Sequence, residues 1–279
     1  MKDKVWFVTG ASKGLGLVLV KKLLEAGYRV AATSRNAADL QKTIDAGPDR
    51  FLPLAVQLAD ESSVDNAIST TVHHFGKIDV IVNNAGYGLA GSLEELTDEE
   101  ARQNFDVNVF GSLNVIRKAM PYLRKQESGH IINIASIGGF TGAFPGFGIY
   151  VATKFAVHGF SESLSEEIKR FGIHVTIVSP GYFRTNFLDS SLAVPKNEIA
   201  DYKEVREVQA THQQAYNGNQ PGDPAKAAAV MIAVTEQEQP PLHLFLGEDA
   251  YHLAEEKMIS VKKDLDKMKQ LATATSFAV

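Results

Sequence analysis

Short apolar segments alternate along this chain with longer segments in which apolar positions recur every three or four residues. The short segments consist almost continuously of Val, Ile, Leu and Phe, which is typical of parallel strands that helices cover on both faces. Two of the longer segments, residues 15–26 and 60–75, run into glycines that suit a helix end, Gly27 and Gly76. The alternation predicts an α/β fold, a doubly wound parallel sheet of about seven strands in a three-layer α/β/α arrangement. The predicted strands are residues 5–9, 29–33, 51–56, 78–82, 130–134, 174–179 and 242–246.

Two parts of the chain depart from this alternation. Residues 188–224 are polar and weakly periodic, and we interpret them as a substrate loop or lid. Residues 248–272 predict a charged C-terminal helix with one apolar face, suited to core packing or a subunit contact rather than to a membrane surface. Because no linker or repeat divides the chain, we expect one catalytic domain over residues 1–279. The apolar face comprises Tyr251, Ala254, Met258, Val261, Leu265, Met268 and Ala272.

Composition and charge narrow the possible functions. With 28 Lys and Arg against 33 Asp and Glu, the net charge of −5 argues against nucleic acid as a partner. The chain has no cysteine, which excludes disulfides, thiolate metal sites and cysteine nucleophiles. Polar residues interrupt the N-terminal apolar segment, and no segment is long enough to span a membrane, so we expect a cytoplasmic protein without a membrane partner.

A glycine-rich turn follows the first predicted strand and opens the first predicted helix. Gly10, Gly14 and Gly16 allow the backbone to turn sharply and to approach a pyrophosphate, which the helix N-terminus attracts. This context predicts a Rossmann dinucleotide-binding domain. No carboxylate occupies the end of the second strand, where Ser34 precedes Arg35; Arg35 and Lys13 are instead suited to a 2′-phosphate. The sequence therefore favours NADPH/NADP over NADH/NAD.

A second group of chemically distinctive residues lies further along the chain. On a helix, Tyr150 and Lys154 share one face, and a neighbouring cation favours phenolate and makes a tyrosine useful in acid–base chemistry. Ser136 follows the fifth predicted strand, Asn108 lies in a helical segment, and residues 83–86 read Asn-Asn-Ala-Gly after the fourth strand. The pair of Tyr and Lys is uninformative alone, because chance is expected to produce this spacing about 0.5 times in such a chain.

Taken together and in this order, these motifs resemble the short-chain dehydrogenase/reductase family over residues 4–246, in particular its NADP-preferring, hydroxysteroid-dehydrogenase-like carbonyl reductase branch. The resemblance implies a catalytic set of Asn108, Ser136, Tyr150 and Lys154. Ser136 would polarise a carbonyl, Tyr150 would donate a proton, Lys154 would lower the pKa of Tyr150 and hold the nicotinamide ribose, and Asn108 would support a water chain. The branch label does not imply a steroid substrate.

The resemblance also implies the cofactor contacts. One departure concerns adenine, because family members commonly place an Asp where this chain has Gln57. The expected cofactor-binding residues are Gly10, Ser12, Lys13, Gly14, Leu15, Gly16, Ser34, Arg35, Gln57, Leu58, Asn84, Ala85, Gly86, Tyr150, Lys154, Pro180, Gly181, Phe183 and Thr185.

Aromatic residues surround the expected reaction site and favour an apolar or aromatic carbonyl substrate over an acidic one. The histidines at 73 and 74 lack a third ligand at metal spacing, so no metal is expected. The expected substrate pocket comprises Tyr87, Gly138, Phe144, Phe147, Tyr182 and Phe187.

These observations predict an NADPH-dependent oxidoreductase that reduces a ketone or aldehyde to an alcohol by hydride transfer. Two alternatives remain open, a non-catalytic NADP-binding sensor and a carrier-linked 3-oxoacyl reductase. The resemblance further implies a homodimer or homotetramer that associates through the helices containing Asn108 and Tyr150.

Overall fold

A computed structural model describes residues 3–277. Seven parallel strands form the main sheet in the order β3-β2-β1-β4-β6-β7-β9, and β5 pairs with β8 in a separate two-stranded sheet. The predicted doubly wound α/β fold is confirmed, and each of the seven predicted strands lies in the main sheet. The strands are β1 (Val5–Val8), β2 (Arg29–Ser34), β3 (Phe51–Ala55), β4 (Val80–Asn83), β5 (Gly88–Leu89), β6 (Gly129–Ile134), β7 (Ile173–Pro180), β8 (Leu192–Ala193) and β9 (His243–Leu246).

Helices cover both faces of the main sheet, and two short π-helical segments interrupt the regular pattern. The π segments are Asp106–Phe110, between α4 and α5, and Thr211–Tyr216, directly after α7. The α-helices are α1 (Gly14–Glu25), α2 (Ala37–Thr43), α3 (Glu61–Phe75), α4 (Asp98–Phe105), α5 (Gly111–Gln126), α6 (Gly148–Ile168), α7 (Lys203–Ala210), α8 (Pro224–Val234) and α9 (Glu248–Thr273). Short 3₁₀ turns lie at Ile137–Gly139, Lys169–Phe171 and Asn186–Leu188.

The alternation of side chains in β1 divides the hydrophobic core between the two faces of the sheet. Trp6 and Val8 pack with α1 and α8, whereas Val5 and Phe7 pack with α3 and α5. All four side chains are fully buried, which explains why the strand contains no polar position between them. Burial of each contributes about 1.5–3 kcal/mol.

The predicted end of α3 is also observed. Asp60 caps the N-terminus of the helix by accepting a hydrogen bond from the backbone of Ser62, and Gly76 ends it with a φ of 83°. A residue with a side chain is disfavoured in this left-handed conformation, so the glycine is required for the turn.

The strand order reverses between β1 and β4, which lie side by side. Doubly wound sheets bind ligands in the crevice at such a reversal, beyond the carboxyl ends of the strands. The glycine-rich turn follows β1 and the Asn-Asn-Ala-Gly motif follows β4, so the fold brings both motifs to this crevice.

Residues 188–224 form an ordered insertion that contains β8, α7 and the second π segment. Two buried carboxylates fix it to the α4 region. Glu95 accepts hydrogen bonds from the backbone of Ile199, at 2.9 Å, and from Arg206, while Glu100 accepts one of 3.0 Å from the backbone of Lys196. The weak periodicity of this segment therefore reflects anchoring by polar contacts from a distant part of the chain.

The C-terminal helix α9 packs on the domain only near its beginning. Ala250 and Ala254 are buried against Ile137, whereas most residues beyond them are exposed. The core packing expected for the apolar face of α9 is thus observed only for the turn that contains Ala250 and Ala254. Within residues 3–277 no helix combines the length and the apolar character needed to cross a bilayer.

Candidate active site

A cavity of about 860 Å³ opens where the parallel strands of the main sheet end. The turn between β1 and α1 forms one wall, and both Gly10 and Gly14 adopt left-handed backbone conformations there, with φ of 64° and 58°. A Cβ on Gly10 would lie 2.7 Å from the Cα of Ala85, which is too close for any side chain. Glycine at position 10 therefore lets the turn pack against the loop after β4, and the N-terminus of α1 suits the phosphate groups of a ligand.

The Asn-Asn-Ala-Gly motif holds this turn in place. The Asn84 amide donates hydrogen bonds to the carbonyls of Thr9, at 2.9 Å, and Gly10, at 3.0 Å. In return, the Thr9 hydroxyl accepts from the backbone nitrogens of Asn84 and Ala85, both at 3.0 Å. Asn84 lines the cavity, but its side-chain amide is engaged with the protein backbone.

Gly16 has a packing role in this structure. It is buried, and a Cβ at this position would lie 2.4 Å from the Asn84 amide nitrogen and 2.8 Å from the carbonyl oxygen of Gly10. Gly16 is absent from the cavity wall as described, unlike the other residues expected to bind the cofactor. Its lack of a side chain permits the clamp that Asn84 forms.

Lys13 and Arg35 both line the cavity and lie close enough for their charges to interact. The pKa of Lys13 is lowered, first by burial and then by the positive charge of Arg35, while Asp189 opposes this effect. Lys13 donates hydrogen bonds to the carbonyl and the hydroxyl of Ser190, at 2.8 and 3.0 Å. Two cations that repel each other beside a cavity form a favourable environment for an anionic group.

Ser136, Tyr150 and Lys154 meet at another part of the cavity wall. Tyr150 and Lys154 lie on α6, and the Lys154 Nζ donates a hydrogen bond of 2.8 Å to the carbonyl of Ile134, at the end of β6. Ser136 precedes the 3₁₀ turn Ile137–Gly139, and its Oγ accepts a 3.1 Å hydrogen bond from the backbone of Gly138. The hydroxyl of Ser136 can donate as well as accept, and it also forms a hydrogen bond with Tyr150.

Burial dominates the acid–base properties of this group. It raises the pKa of Tyr150 to about 12, with a smaller opposing effect from a hydrogen bond to Ser136. It also lowers the pKa of Lys154 to about 8. Neither group contributes to the pKa shift of the other, and burial is the first cause of both shifts, so the lowering of the Tyr150 pKa by Lys154 stays a prediction.

Asn108 lies in the π segment Asp106–Phe110 and is buried. Its amide nitrogen donates to the carbonyl of Tyr87, at 3.0 Å, and to the hydroxyl of Thr153, at 3.1 Å. It thereby connects α6 to the loop after β4. A Cβ on Gly86 would lie 3.0 Å from the Asn108 Oδ1 and 3.6 Å from the Lys154 Nζ, so glycine leaves open the space that both atoms border.

The structure brings most of the expected ligand contacts to this one cavity. All six residues of the expected substrate pocket line it, namely Tyr87, Gly138, Phe144, Phe147, Tyr182 and Phe187. The expected cofactor contacts on its wall are Gly10, Ser12, Lys13, Gly14, Leu15, Ser34, Arg35, Gln57, Leu58, Asn84, Ala85, Gly86, Tyr150, Lys154, Pro180, Gly181, Phe183 and Thr185.

His212 also lines the cavity, although no motif or periodicity in the sequence indicates it. Its Nδ1 lies 2.8 Å from the carbonyl of Val208, which can only accept, so Nδ1 carries the proton and Nε2 accepts from the Tyr182 hydroxyl at 2.8 Å. Burial, together with the charges of neighbouring acidic groups, raises the pKa of Tyr182 to about 12. The pair therefore presents a neutral phenol of fixed orientation. The π segment that carries His212 is the kind of signal that only the structure reveals.

Gln220 is a second residue of the cavity wall that the sequence did not indicate. Its backbone carbonyl accepts two hydrogen bonds from the Arg184 guanidinium, at 3.0 and 3.2 Å. Its side chain is buried, and neither amide atom has a hydrogen-bond partner among residues 3–277. The guanidinium of Arg184 could otherwise bind the carboxylate of an acidic substrate. Because it is engaged with the Gln220 carbonyl, an acidic substrate is less favoured.

One group of potential metal ligands lies outside this cavity. The ligating atoms of His158, Glu162 and His243 lie within 4.8 Å of one another. His158 is buried and bonded through Nε2 to the Ser179 hydroxyl at 2.9 Å, whereas the other two side chains are exposed. Burial, and then the nearby charges of His243 and Lys154, lower the pKa of His158 to about 4, so its imidazole is neutral at physiological pH.

Comparisons with known proteins agree with this arrangement. The sequence profile described as short chain dehydrogenase matches residues 4–194. Oxidoreductase BOA17 of Botryotinia fuckeliana (strain B05.10) is 34% identical over 274 residues, 98% of this chain and 99% of that protein. A 3-ketodihydrosphingosine reductase of Bacteroides thetaiotaomicron is 35% identical over 250 residues, 88% of this chain and 89% of that protein. The crystal structure of a short-chain dehydrogenase from Streptomyces avermitilis superposes with a TM-score of 0.89 at 37% sequence identity. The superposition covers 98% of this chain and 100% of that one.

Proposed function

The chain belongs to the short-chain dehydrogenase family, an oxidoreductase family whose fold binds a nicotinamide cofactor, and on this premise we propose that it reduces a ketone or aldehyde to an alcohol with NADPH. One observation carries the proposal. A hydroxyl, a phenol and an ammonium, from Ser136, Tyr150 and Lys154, converge on a single cavity that the glycine-rich turn also lines.

In the proposed reaction Tyr150 is the proton donor. Its raised pKa keeps the phenol protonated at neutral pH, which is the form that can protonate the oxygen of a substrate carbonyl. Ser136 supports this step when its hydroxyl, which hydrogen-bonds to Tyr150, donates its proton to the same carbonyl oxygen as negative charge develops there. NADPH, when bound, supplies the hydride to the carbonyl carbon.

In this proposal Lys154 and Asn108 help to return a proton to the Tyr150 phenol after it has protonated the substrate. A lysine whose pKa lies at about 8 exchanges protons readily near neutral pH. Asn108 borders the same space beside Gly86 and offers its Oδ1 there, although it also accepts a 3.0 Å hydrogen bond from the Tyr87 backbone. We place the proton route from Tyr150 through Lys154 in this space.

The preference for NADPH rests on charge. Lys13 and Arg35 both line the cavity, and the two residues directly after β2 are Arg35 and Asn36, so no carboxylate stands at the strand end to repel a 2′-phosphate. Two further residues support a bound dinucleotide. Thr185 lies beside the glycine-rich turn, since a Cβ added to Gly14 would lie 3.8 Å from the Thr185 Cβ, and Gln57 lines the part of the wall that we assign to adenine. Gln57 offers an amide where the family commonly has a carboxylate.

The proposed substrate is an apolar or aromatic carbonyl compound. Phe144, Phe147 and Phe187 line the cavity, and the Phe187 ring lies 5.8 Å from that of Tyr150. One similar protein is named as a 3-ketodihydrosphingosine reductase, a reductase of a ketone, which agrees with this substrate class. We further propose that residues 188–224 cover the substrate, since Leu188, Leu192 and His212 all belong to the cavity wall.

Consumption of NADPH tests the proposal directly. Purified protein is assayed against a panel of aromatic and aliphatic ketones, with NADH in parallel. We expect turnover with NADPH, reduced by about 10²–10⁴-fold in Tyr150→Phe because the proton donor is lost. The exposed Tyr251 supplies the control, since Tyr251→Phe makes the same chemical change away from the cavity and should leave the rate unchanged.

Two outcomes would replace the proposal. Binding of NADPH without turnover of any substrate on the panel would favour a non-catalytic NADP-binding sensor. Activity confined to carrier-linked 3-oxoacyl thioesters would assign the chain to that class of reductase. Equal activity of wild type and Tyr150→Phe would remove the phenol from the mechanism.

A further inference from the structure

The cavity wall contains a polar pair among aromatic side chains. The hydroxyl of Tyr182 lies 2.8 Å from the Nε2 of His212, and both residues line the cavity. The ring of Phe147, which also lines it, has its centroid 5.0 Å from that of the imidazole. Ligand pockets are typically lined by apolar side chains, with a few polar groups that determine specificity. The pair of Tyr182 and His212 is therefore suited to selecting the substrate.

The direction of the hydrogen bond between these two side chains follows from a third group. The Nδ1 of His212 lies 2.8 Å from the carbonyl oxygen of Val208, which can only accept a hydrogen bond. In the neutral imidazole, Nδ1 therefore carries the proton and Nε2 has only a lone pair. The Tyr182 hydroxyl must consequently donate its proton to His212.

The oxygen of Tyr182 is left as a hydrogen-bond acceptor. Burial, and then the charges of Tyr216 and Asp249, raise the pKa of Tyr182 to about 12, so the phenol keeps its proton at neutral pH. Among residues 3–277, His212 is the only hydrogen-bond partner of this hydroxyl. Because its single proton is already donated, a ligand that reaches the oxygen can only donate a hydrogen bond to it.

The backbone on both sides of Tyr182 holds this acceptor in place. The Tyr182 nitrogen donates a 2.7 Å hydrogen bond to Asp249, in the first turn of α9. The Tyr182 carbonyl accepts one of 2.9 Å from the backbone of Gly222. A group that is fixed before the ligand binds loses little freedom on binding, and it therefore discriminates between ligands more strongly than a mobile group.

We propose that the substrate carries a hydroxyl or N–H group in addition to the carbonyl that is reduced, and that this group donates a hydrogen bond to the Tyr182 oxygen. The inference rests on the proposed function, because the acceptor lines the same cavity as Ser136 and Tyr150. The substrate class is thus an apolar ketone or aldehyde with a hydrogen-bond donor. An ether, a second carbonyl or a carboxylate at this place would set one acceptor against another and weaken binding.

Binding measurements test this inference without depending on turnover. The protein is saturated with oxidised NADP, which has no hydride to transfer to a ketone. It is then titrated calorimetrically with hydroxyphenyl, tolyl and methoxyphenyl alkyl ketones that have spacers of increasing length between the ring and the carbonyl. We expect the best hydroxyphenyl ketone to bind about 10-fold more tightly than its tolyl and methoxyphenyl analogues. Titration at pH 8 keeps imidazole groups in the neutral form that the argument requires.

Two variants change the pair itself. Tyr182→Phe removes the acceptor oxygen and should abolish the difference between the hydroxyphenyl and tolyl ketones. His212→Phe removes the group that takes the phenol proton, so Tyr182 becomes able to donate and the methoxyphenyl ketone should gain affinity relative to the tolyl ketone. Tyr216→Phe is the matched control, because Tyr216 is 45% exposed and lies outside the cavity wall as described, so the wild-type preference should persist.

Several outcomes would overturn the inference. These are equal affinities of wild type for the three kinds of ketone, a hydroxyl preference that persists in Tyr182→Phe, and no binding of any hydroxyphenyl ketone. A parallel NADPH assay distinguishes such a failure from that of the proposed function. Reduction of the ketones without a hydroxyl preference would leave the proposed reduction intact and remove the donor requirement, whereas a hydroxyl preference in binding without turnover would support the donor requirement and remove the reduction.

Discussion

The Nζ of Lys154 lies 5.8 Å from the centroid of the Tyr150 ring, one turn away on the same helix. The lysine is buried, and its hydrogen bond to the Ile134 carbonyl leaves its charge without an anionic partner in that contact. Burial consequently lowers the pKa of Lys154 from 10.5 to about 8. Maintaining the ammonium in this position costs stability, which the proposed chemistry explains.

Replacement of this lysine should separate stability from activity. A lowering of this size corresponds to about 3 kcal/mol against the charged form at neutral pH. Lys154→Met removes that cost but also loses a charge-assisted hydrogen bond, so we expect a net stabilisation of about 1 kcal/mol together with loss of carbonyl reduction. Thermal unfolding and the NADPH assay measure the two effects.

The pH dependence gives the sign of this effect. Because the pKa is lower in the folded protein, the cost is complete below about pH 8 and disappears as the pH rises toward the unfolded value of 10.5. As the pH rises from about 8 toward 10.5, wild type should therefore regain about 3 kcal/mol, which exceeds its initial deficit of about 1 kcal/mol, and its melting temperature should rise past that of Lys154→Met. Lys169→Met, on an exposed residue, is the control. A wild-type melting temperature that falls relative to that of Lys154→Met as the pH rises would contradict burial as the cause.

A second prediction concerns the choice of cofactor. Arg35→Asp removes a cation that we assign to the 2′-phosphate and introduces a carboxylate suited to the ribose hydroxyls of NAD. We expect kcat/KM for NADPH to fall by about 100-fold while that for NADH is maintained or improved. Steady-state kinetics with both cofactors measure the ratio.

Lys21→Asp makes an equal change of net charge on the exposed surface of α1 and should leave the ratio unchanged. A uniform loss with both cofactors in Arg35→Asp would show that Arg35 supports the fold of the turn and does not select the phosphate.

The fold and the glycine-rich turn were predictable because their determinants are local. Buried strands require uninterrupted apolar residues, and the tight turn after β1 requires glycine at 10 and 14, where φ is positive. The clamp formed by Asn84 was not predictable, because it joins residues about 75 positions apart in the chain. Motif order placed Asn84 at the cavity correctly but could not show which partner its amide would bind.

The residues that segment 188–224 contributes to the cavity wall could not be predicted from the sequence, for a different reason. His212 and Gln220 lie in polar, weakly periodic segments, and their positions depend on contacts such as that between Glu95 and Arg206. Electrostatic properties were also hidden, since the i, i+4 spacing of Tyr150 and Lys154 suggests attraction while burial determines both pKa values.

The third prediction addresses the anchoring of this segment. Burial tends to raise the pKa of Glu95, but hydrogen bonds from Ile199 and Ser92 and the charge of Arg206 outweigh it and lower the value. Glu95→Gln removes the buried carboxylate that pairs with Arg206 and leaves Arg206 with Glu198 and Gln209. Because Arg206 is partly exposed and keeps these contacts, we expect a loss of about 2–3 kcal/mol and a higher KM. In wild type the contribution of Glu95 is present above the ordinary glutamate pKa and is lost as the pH falls through the lowered value.

Asp98→Asn is the matched control for Glu95→Gln. Asp98 forms an ion pair of 2.7 Å with Arg102, but both side chains are highly exposed, at 80% and 75%. Such a pair contributes between about 0 and 1 kcal/mol, so its melting temperature should stay close to that of wild type. Equal effects of the two variants would show that burial does not strengthen the Glu95 contact.

The last prediction concerns the unsatisfied amide of Gln220. A buried polar group without a partner costs about 1–3 kcal/mol, and Gln220 borders the cavity in which we place the cofactor and substrate. If bound ligand completes its hydrogen bonds, Gln220→Leu should raise the melting temperature of the free protein while reducing the additional stabilisation that NADP or substrate provides. Gln214→Leu, on an exposed residue of the same π segment as His212, should change neither quantity. A lower melting temperature of free Gln220→Leu would mean that the amide already stabilises the protein, and unchanged ligand stabilisation would mean that it binds no ligand.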